Sequence, residues 1–309
     1  MRSGFVSIVG RPNVGKSTLV NRLVGQKVSI VSDKPQTTRN RILAVVNRPQ
    51  GQIVLFDTPG IHKPMHRMNE RMVEAAVKSL GQVDLAVWLA DVTEPYGPGE
   101  RHVKEVLREA KVPVILGLNK VDAIPKPKIL PVIEQYRQLL DFVEVVPLSA
   151  LKGDNVDVLA ERILAHLPEG ERLYPEEFLT DLPERFFVAE MVREKILRLT
   201  REELPYTTGV MVDTFKEEDG LVRIEASILV ERESQKGIVI GRGGQMLKSI
   251  GTAARKDIEE FLGTKVFLGL FVKVREKWRE DQAVLDRMGL GRAPVTGYDE
   301  GGRDTEGNE

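Results

Sequence analysis

Through residues 1–166 the chain alternates short apolar runs with segments whose apolar positions recur every three or four residues. Phe5–Val9, Arg41–Val46, Ile53–Phe56, Asp84–Leu89, Val114–Leu118 and Val143–Val146 read as strands. Lys16–Val24, Asn69–Leu80, Glu100–Ala110, Lys128–Leu140 and Val156–His166 read as helices. Such alternation predicts an α/β domain whose largely parallel sheet is covered by helices on both faces. Between the first helix and the second strand, Gln26–Asn40 has no clear period and carries Ser, Asp, Pro and two Thr. A mobile loop is expected there.

The pattern changes at Leu167–Arg185, where Pro168, Pro175 and Pro183 fall among acidic residues. Prolines without an apolar period mark a linker, assigned to residues 167–184. A second, smaller α+β domain is expected over residues 185–290. It comprises a helix (Phe186–Arg201), strands (Val210–Phe215 and Val222–Val230), a glycine turn, a helix (Gln245–Leu262), a strand (Val266–Val274) and a last helix (Glu276–Met288). Ile224, Ala226, Ile228 and Val230 alternate with Arg223, Glu225 and Ser227, giving a dry and a wet face. Helices are therefore expected on one side of a three-stranded sheet. Residues 291–309, rich in Gly, Asp and Glu, read as a disordered acidic tail.

At 309 residues, and roughly 150 residues per domain, two domains also fit the length. Lys plus Arg number 45 and Asp plus Glu 46, which excludes a globally basic nucleic-acid binder but not a local basic face. Cysteine is absent, removing disulfides, thiol nucleophiles and cysteine-based metal sites. His62 and His66, four apart, lie among Lys63, Pro64 and Arg67, which reads as an exposed basic loop rather than a metal site. No apolar run approaches the roughly 20 residues that span a bilayer, and no cleavage signal follows Met1–Val9. An intracellular, cytoplasmic protein is expected.

The chemistry-bearing residues fall at strand ends. Gly10, Arg11, Pro12, Asn13, Val14, Gly15, Lys16 and Ser17 fit G-x-x-x-x-G-K-S/T, directly after one strand and opening one helix. The glycines let successive N–H groups curl inward at phosphate oxygens, and the helix adds the positive end of its dipole. Lys16 supplies a cation between β- and γ-phosphates, Ser17 a hydroxyl for Mg²⁺, and Thr18 completes the candidate phosphate site. Asp57, Thr58, Pro59 and Gly60 follow the strand Ile53–Phe56, as a carboxylate holding Mg²⁺ through water and a γ-phosphate-sensing glycine N–H should.

Asn119, Lys120, Val121 and Asp122 follow the strand Val114–Leu118. A carboxylate at Asp122 can accept from guanine N1–H and the N2 amine together, whereas adenine would leave it unpaired. Sites of this kind discriminate by about 10⁴–10⁵. Ser149, Ala150 and Leu151 can present backbone N–H groups to guanine O6. Four such pieces, in order at successive strand ends, point to GTP or GDP rather than ATP.

This set, with Thr37 and Thr38, resembles the translation-factor-like branch of P-loop GTPases. The string from Tyr174 to Phe186 and the C-terminal half are similar to the Era family of bacterial GTPases over about residues 3–290. The resemblance implies that Gln36–Arg39 is the first switch, with Thr38, or alternatively Thr37, as the second hydroxyl on Mg²⁺. Lys16, Thr38, Asp57, Gly60 and Asn13 are the implied catalytic set. Ile61 stands where Ras-like enzymes place a water-orienting glutamine, and an aliphatic side chain cannot position water, so slow turnover is expected. Asn13 resembles the asparagine of potassium-activated GTPases, implying acceleration by K⁺.

Gly241, Arg242, Gly243 and Gly244 form a G-x-x-G element opening the helix from Gln245, in an order of elements that resembles a type II KH domain. In that fold the glycines admit about four nucleotides of single-stranded RNA. From Arg232 to Arg279 there are 11 basic against 5 acidic residues, a local basic region on a neutral chain. Arg242, Lys248 and Arg255 are the best candidate contacts. The resemblance implies binding near the 3′ end of small-subunit ribosomal RNA, a role in maturing that subunit and peripheral membrane association, with no DNA partner. The competing reading is a signalling GTPase in cell-cycle control whose second domain binds protein or membrane.

Overall fold

The computed structural model describes residues 1–34, 36–62, 66–200, 204–218 and 220–290. The tail expected from residue 291, and the middle of the loop between His62 and His66, lie outside them. The first sheet contains β1 (Arg2–Val9), β2 (Ile42–Arg48), β3 (Gly51–Asp57), β4 (Leu85–Asp91), β5 (Val114–Asn119) and β6 (Glu144–Pro147). Their order is β2-β3-β1-β4-β5-β6, with β2 antiparallel to β3 and the other pairs parallel. Ile8 pairs with Asp57 and Asp91 with Asn119. The carboxyl ends of the five parallel strands β1, β3, β4, β5 and β6 therefore meet at one edge, where a parallel sheet places its ligand.

Five helices flank this sheet: α1 (Lys16–Val24), α2 (Arg67–Leu80), α3 (Pro98–Ala110), α4 (Ile129–Arg137) and α5 (Val156–His166). Leu19 and Leu23 of α1 and Leu159 and Ile163 of α5 pack with Ile8, Leu55 and Val87 on one face. Ala76, Leu107 and Tyr136, from α2, α3 and α4, pack with Val9, Trp88 and Leu116 on the other. Burial on both faces explains why these central strands read as unbroken apolar runs.

The proline-rich segment after α5 lies strapped along the sheet. Gln52, fully buried in β3, donates to the Tyr174 carbonyl at 2.9 Å and accepts the N–H groups of Leu173 and Tyr174 at 2.8 and 2.9 Å. Tyr174 and Phe178 stack with centroids 4.7 Å apart over Leu43, Val45 and Phe56.

Beyond it come α6 (Glu184–Leu199), α7 (Leu204–Thr207), β7 (Gly209–Glu218), β8 (Leu221–Val230), α8 (Glu233–Ile240), α9 (Gln245–Leu262), β9 (Lys265–Val274) and α10 (Gln282–Arg287). The second sheet has the order β7-β8-β9, antiparallel then parallel. Three expectations need correction. Between β8 and α9 there is not a glycine turn alone but a helix, α8, whose start is closed by Gln235 accepting the N–H groups of Glu231 and Arg232. The last predicted helix is cut to α10, because Lys277 takes a left-handed backbone and Asp281 caps a new start at the N–H groups of Ala283 and Val284. Helices do not keep to one side of the sheet. Ile228 and Val230 face α6 and α9, but Leu229 between them packs on the other side against Trp278 and Leu285, together with Met68 and Met72 of α2.

Candidate functional site

The turn from β1 into α1 has the curvature that phosphate binding needs. Gly15 sits at φ 99°, and a Cβ there would come within 2.4 Å of the Asn119 amide nitrogen. Only glycine meets both demands. Lys16 is buried, and its Nζ donates to the carbonyls of Gly10 and Arg11 at 3.2 and 2.8 Å. Burial pulls its pKa down to about 8 despite the carboxylates of Asp57 and Glu100. Asn13 takes a left-handed backbone, and its amide donates to the Asp33 carbonyl at 2.7 Å, tying the loop to residues 27–39 rather than to its own turn.

A corner of oxygen ligands faces the lysine. The hydroxyls of Ser17 and Thr38 are 2.7 Å apart. Asp57 is fully buried, and neither carboxylate oxygen has a hydrogen-bond partner. Desolvation pushes its pKa up, with Lys16 and the nearby Ser29, Ser17 and Thr38 hydroxyls opposing that. An orphaned buried carboxylate beside two hydroxyls is a hard-oxygen donor set, and it fits Mg²⁺. Thr37 turns away, its hydroxyl donating to the Lys34 carbonyl at 2.6 Å. Among the described residues, no group of three or more His, Cys, Asp or Glu forms a metal site, and His62 instead bonds the Gly60 carbonyl through Nδ1 at 2.7 Å. Ile61 is fully buried in the core on the α2 face while its N–H donates to the Gly10 carbonyl at 3.1 Å, so its aliphatic side chain offers water neither donor nor acceptor.

At the far end of the same edge, the Asn119 side chain acts as a clamp. Its amide donates to the Val14 carbonyl at 2.7 Å and its oxygen accepts the Ala150 N–H at 2.9 Å. Lys120, in a left-handed backbone, pairs with Asp91 at 2.5 Å. Asp122 stands exposed on the turn Val121–Ala123. The N–H groups of Ser149 and Ala150 are engaged by the Asp154 carbonyl and the Asn119 side-chain oxygen.

Some contributors escaped the sequence reading. Arg11 is held by Glu100, fully buried at 2.7 Å, and the i, i+3 pattern of α3 gave no hint of that partner. Asn21 accepts the N–H groups of Val28 and Ser29, both at 2.9 Å, and so shapes the start of the segment expected to be mobile. The segment is irregular, as expected, but it is tied down at several points. Val28, Ser29, Thr38 and Arg39 are buried, and the segment is gripped by the second domain.

In the second domain, Gly241 sits at φ 72°, and a Cβ there would come within 2.6 Å of the Met246 Cβ. Any side chain at this position strains the turn into α9. Arg242 and Gly243 are exposed above it. Lys248, Thr252, Arg255, Lys256 and Glu259 line a shallow groove along one side of α9. Among the described residues Arg242, Lys248 and Arg255 have no carboxylate partner, leaving three cations to bind an outside anion.

Residues 5–120 match the family described as 50S ribosome-binding GTPase, and residues 203–279 match the KH domain. The chain is 53% identical over 290 residues to the GTPase Era of Geobacter metallireducens, covering 93% of this chain and 97% of that one. It is 50% identical to the GTPase Era of Staphylococcus haemolyticus over the same shares. A variant of Aquifex aeolicus Era bound to GDP·AlF4⁻ superposes with a TM-score of 0.91 at 43% identity, over 94% of this chain and 100% of that one. Era in complex with MgGDPNP and nucleotides 1506–1542 of 16S ribosomal RNA gives 0.92 at 44% identity over the same shares. With a P-loop GTPase domain, a KH domain and near full-length identity of this order, the chain belongs to the Era family of GTPases.

Proposed function

We propose that this chain is a GTP-hydrolysing switch that binds the 3′ region of 16S ribosomal RNA through its KH domain and assists maturation of the small ribosomal subunit. One observation carries the reading. The relative solved with 16S nucleotides matches this chain across both domains, and here the Gly241 turn, which admits no side chain, carries exposed Arg242 and opens α9, along which Lys248 and Arg255 lie. The description of the GTPase-domain family names the large subunit, but its match stops at residue 120, short of the surface that would meet RNA.

Gly10, Arg11, Pro12, Asn13, Val14, Gly15 and Thr18 would wrap the phosphates, Thr58 and Pro59 would set Gly60 beside them, and Lys16 would exchange its two carbonyl partners for phosphate oxygens. Ser17, Thr38 and Asp57, the last through water, would hold Mg²⁺, which when bound neutralises charge developing between the β- and γ-phosphates. Asp122 would choose guanine, with Asn119 and Ala150 bracing the floor of the base site and Lys120 holding Asp91. Because Ile61 is an aliphatic core residue, the attacking water is held by backbone, by another switch residue or by a partner's group, and intrinsic hydrolysis is slow. Asn13, whose side-chain oxygen remains available while its amide holds Asp33, supports acceleration by K⁺. GTP favours the RNA-competent arrangement and hydrolysis promotes release. Cytoplasmic location and peripheral contact with the cell membrane rest on family membership alone.

Phosphate release in K⁺ and in Na⁺ tests the hydrolytic half. Faster release in K⁺, with the difference removed in Asn13→Ala, supports it, and equal rates in the two salts remove K⁺ from the account. RNA binding is tested by titrating labelled 16S 3′-end RNA with the full chain in a GTP analogue and in GDP, where tight binding in the analogue supports the reading and equal binding in both overturns the switch.

A further inference from the structure

The first switch segment is held from outside its own domain. Arg193 of α6 is 1% exposed, and one of its guanidinium nitrogens donates to the Thr37 carbonyl while the fork is fixed by Glu190. That carbonyl belongs to the peptide leading into Thr38, whose hydroxyl meets Ser17. On either side the grip is repeated. Glu194, fully buried, accepts Lys27 at 2.7 Å and the Val31 N–H at 3.2 Å. Arg39 donates to the Thr208 carbonyl at 2.8 Å, beyond α6. Within residues 27–39, Asn13 and Ser17 supply bonds from the phosphate loop. The contact on the Thr37–Thr38 peptide itself comes from the RNA-binding domain.

We infer that Arg193 is a positioning residue for GTP hydrolysis, orienting the Thr37–Thr38 peptide so that the Thr38 hydroxyl faces the metal corner. The inference rests on the GTPase reading and on Thr38 as a metal-binding group. Its physical basis is that a guanidinium fork braced by a carboxylate fixes an acceptor in direction as well as distance. A donor that lacks the fork cannot hold Glu190 and Thr37 in one plane. Reorienting one reacting or metal-binding group by about 1 Å costs up to about 10²-fold in rate.

The test uses the full chain and measures phosphate release against Mg²⁺ concentration, with the melting temperature in GDP as a fold control. Arg193→Met is expected to lower kcat about 10-fold and to raise the Mg²⁺ needed for half-maximal rate several-fold. In a Thr38→Ala background the same substitution is expected to change kcat by less than about 2-fold, because its target has gone. Should Arg193→Met not fold, Arg193→Lys, which keeps the charge beside Glu190, enters the same cycle. Additive losses, or an unchanged Mg²⁺ requirement, would overturn the role of Arg193 while leaving the GTPase reading intact. A parent chain that releases no phosphate would overturn both.

Discussion

The hydroxyls of Ser17 and Thr38 meet at 2.7 Å although the two residues come from different elements, one from the first turn of α1 and the other from the segment before β2. The neighbouring Thr37 spends its hydroxyl on the Lys34 carbonyl. The two threonines, equivalent in the sequence, are thereby given different environments. Thr38→Ala is expected to lower kcat for GTP by about 10²-fold, the loss typical of one electrostatic contact to a transition state, and to raise the Mg²⁺ requirement. Thr37→Ala is expected to keep the rate within about 3-fold of the parent. Steady-state phosphate release at graded Mg²⁺ distinguishes them, and a larger loss in Thr37→Ala than in Thr38→Ala would move the metal-binding role to Thr37.

Lys16 gives a pH dependence. In the free protein its pKa is drawn down to about 8 by burial. Bound phosphates raise it, so binding takes up a proton once the pH exceeds the free value. Below about 8 the ammonium is charged in both states, and affinity for GDP is flat. Above about 8 affinity falls, by up to about ten-fold per pH unit until the bound-state pKa is reached. Calorimetric titration of GDP in buffers of different ionisation heat, from pH 6 to 9.5, reads the proton uptake directly. Affinity that is level through pH 9.5 would contradict the assignment.

Asp122 is exposed and free to meet a base edge. Replacing it with Asn substitutes a donor for an acceptor opposite guanine N1–H and the N2 amine. Asp122→Asn is expected to weaken GTP by about 10³-fold or more, and to improve xanthosine triphosphate, whose C2 carbonyl accepts from the new amide. Competition binding with the two nucleotides decides. A variant that still prefers GTP would remove Asp122 from the base site.

Trp278 ties three parts of the molecule. It is fully buried, its indole N–H donates to the Thr207 carbonyl at 2.9 Å, and it packs in one cluster with Met68 and Met72 of α2. Trp278→Ala should cost about 3–5 kcal/mol of stability, as loss of a large core aromatic does. Denaturant unfolding monitored at the remaining Trp88 measures it. A change below about 1 kcal/mol would mean that the cluster is not closed in solution.

Much of the fold follows from the sequence pattern alone. α1, α5 and α9 start and end where the periodicity puts them, and the strand-end motifs gather on one edge because a parallel sheet leaves them no other place. What sequence could not give was mostly long-range. Gln52 lies just before the strand expected over Ile53–Phe56 and carries no sign of burial in the sequence, yet it is buried by a segment more than a hundred residues away. Residues 26–40 look mobile because their partners, Glu194, Arg193 and Thr208, belong to the other domain. The apolar run of α8 was hidden by Gly237, which in a helix costs only about 1 kcal/mol and is outweighed by packing of Val239 in the core.

The measurement that bears most directly on the whole account is an anisotropy titration of a labelled single-stranded RNA matching the 3′ end of 16S ribosomal RNA, using the full chain at two salt concentrations. It is run with a non-hydrolysable GTP analogue and with GDP, beside Gly241→Asp, which places a side chain where Met246 leaves no room. Tight binding with the analogue, weaker binding with GDP, loss of affinity at higher salt as released counterions require, and no binding by the variant are expected. Equal affinity with both nucleotides, or full affinity in Gly241→Asp, would contradict the proposed function.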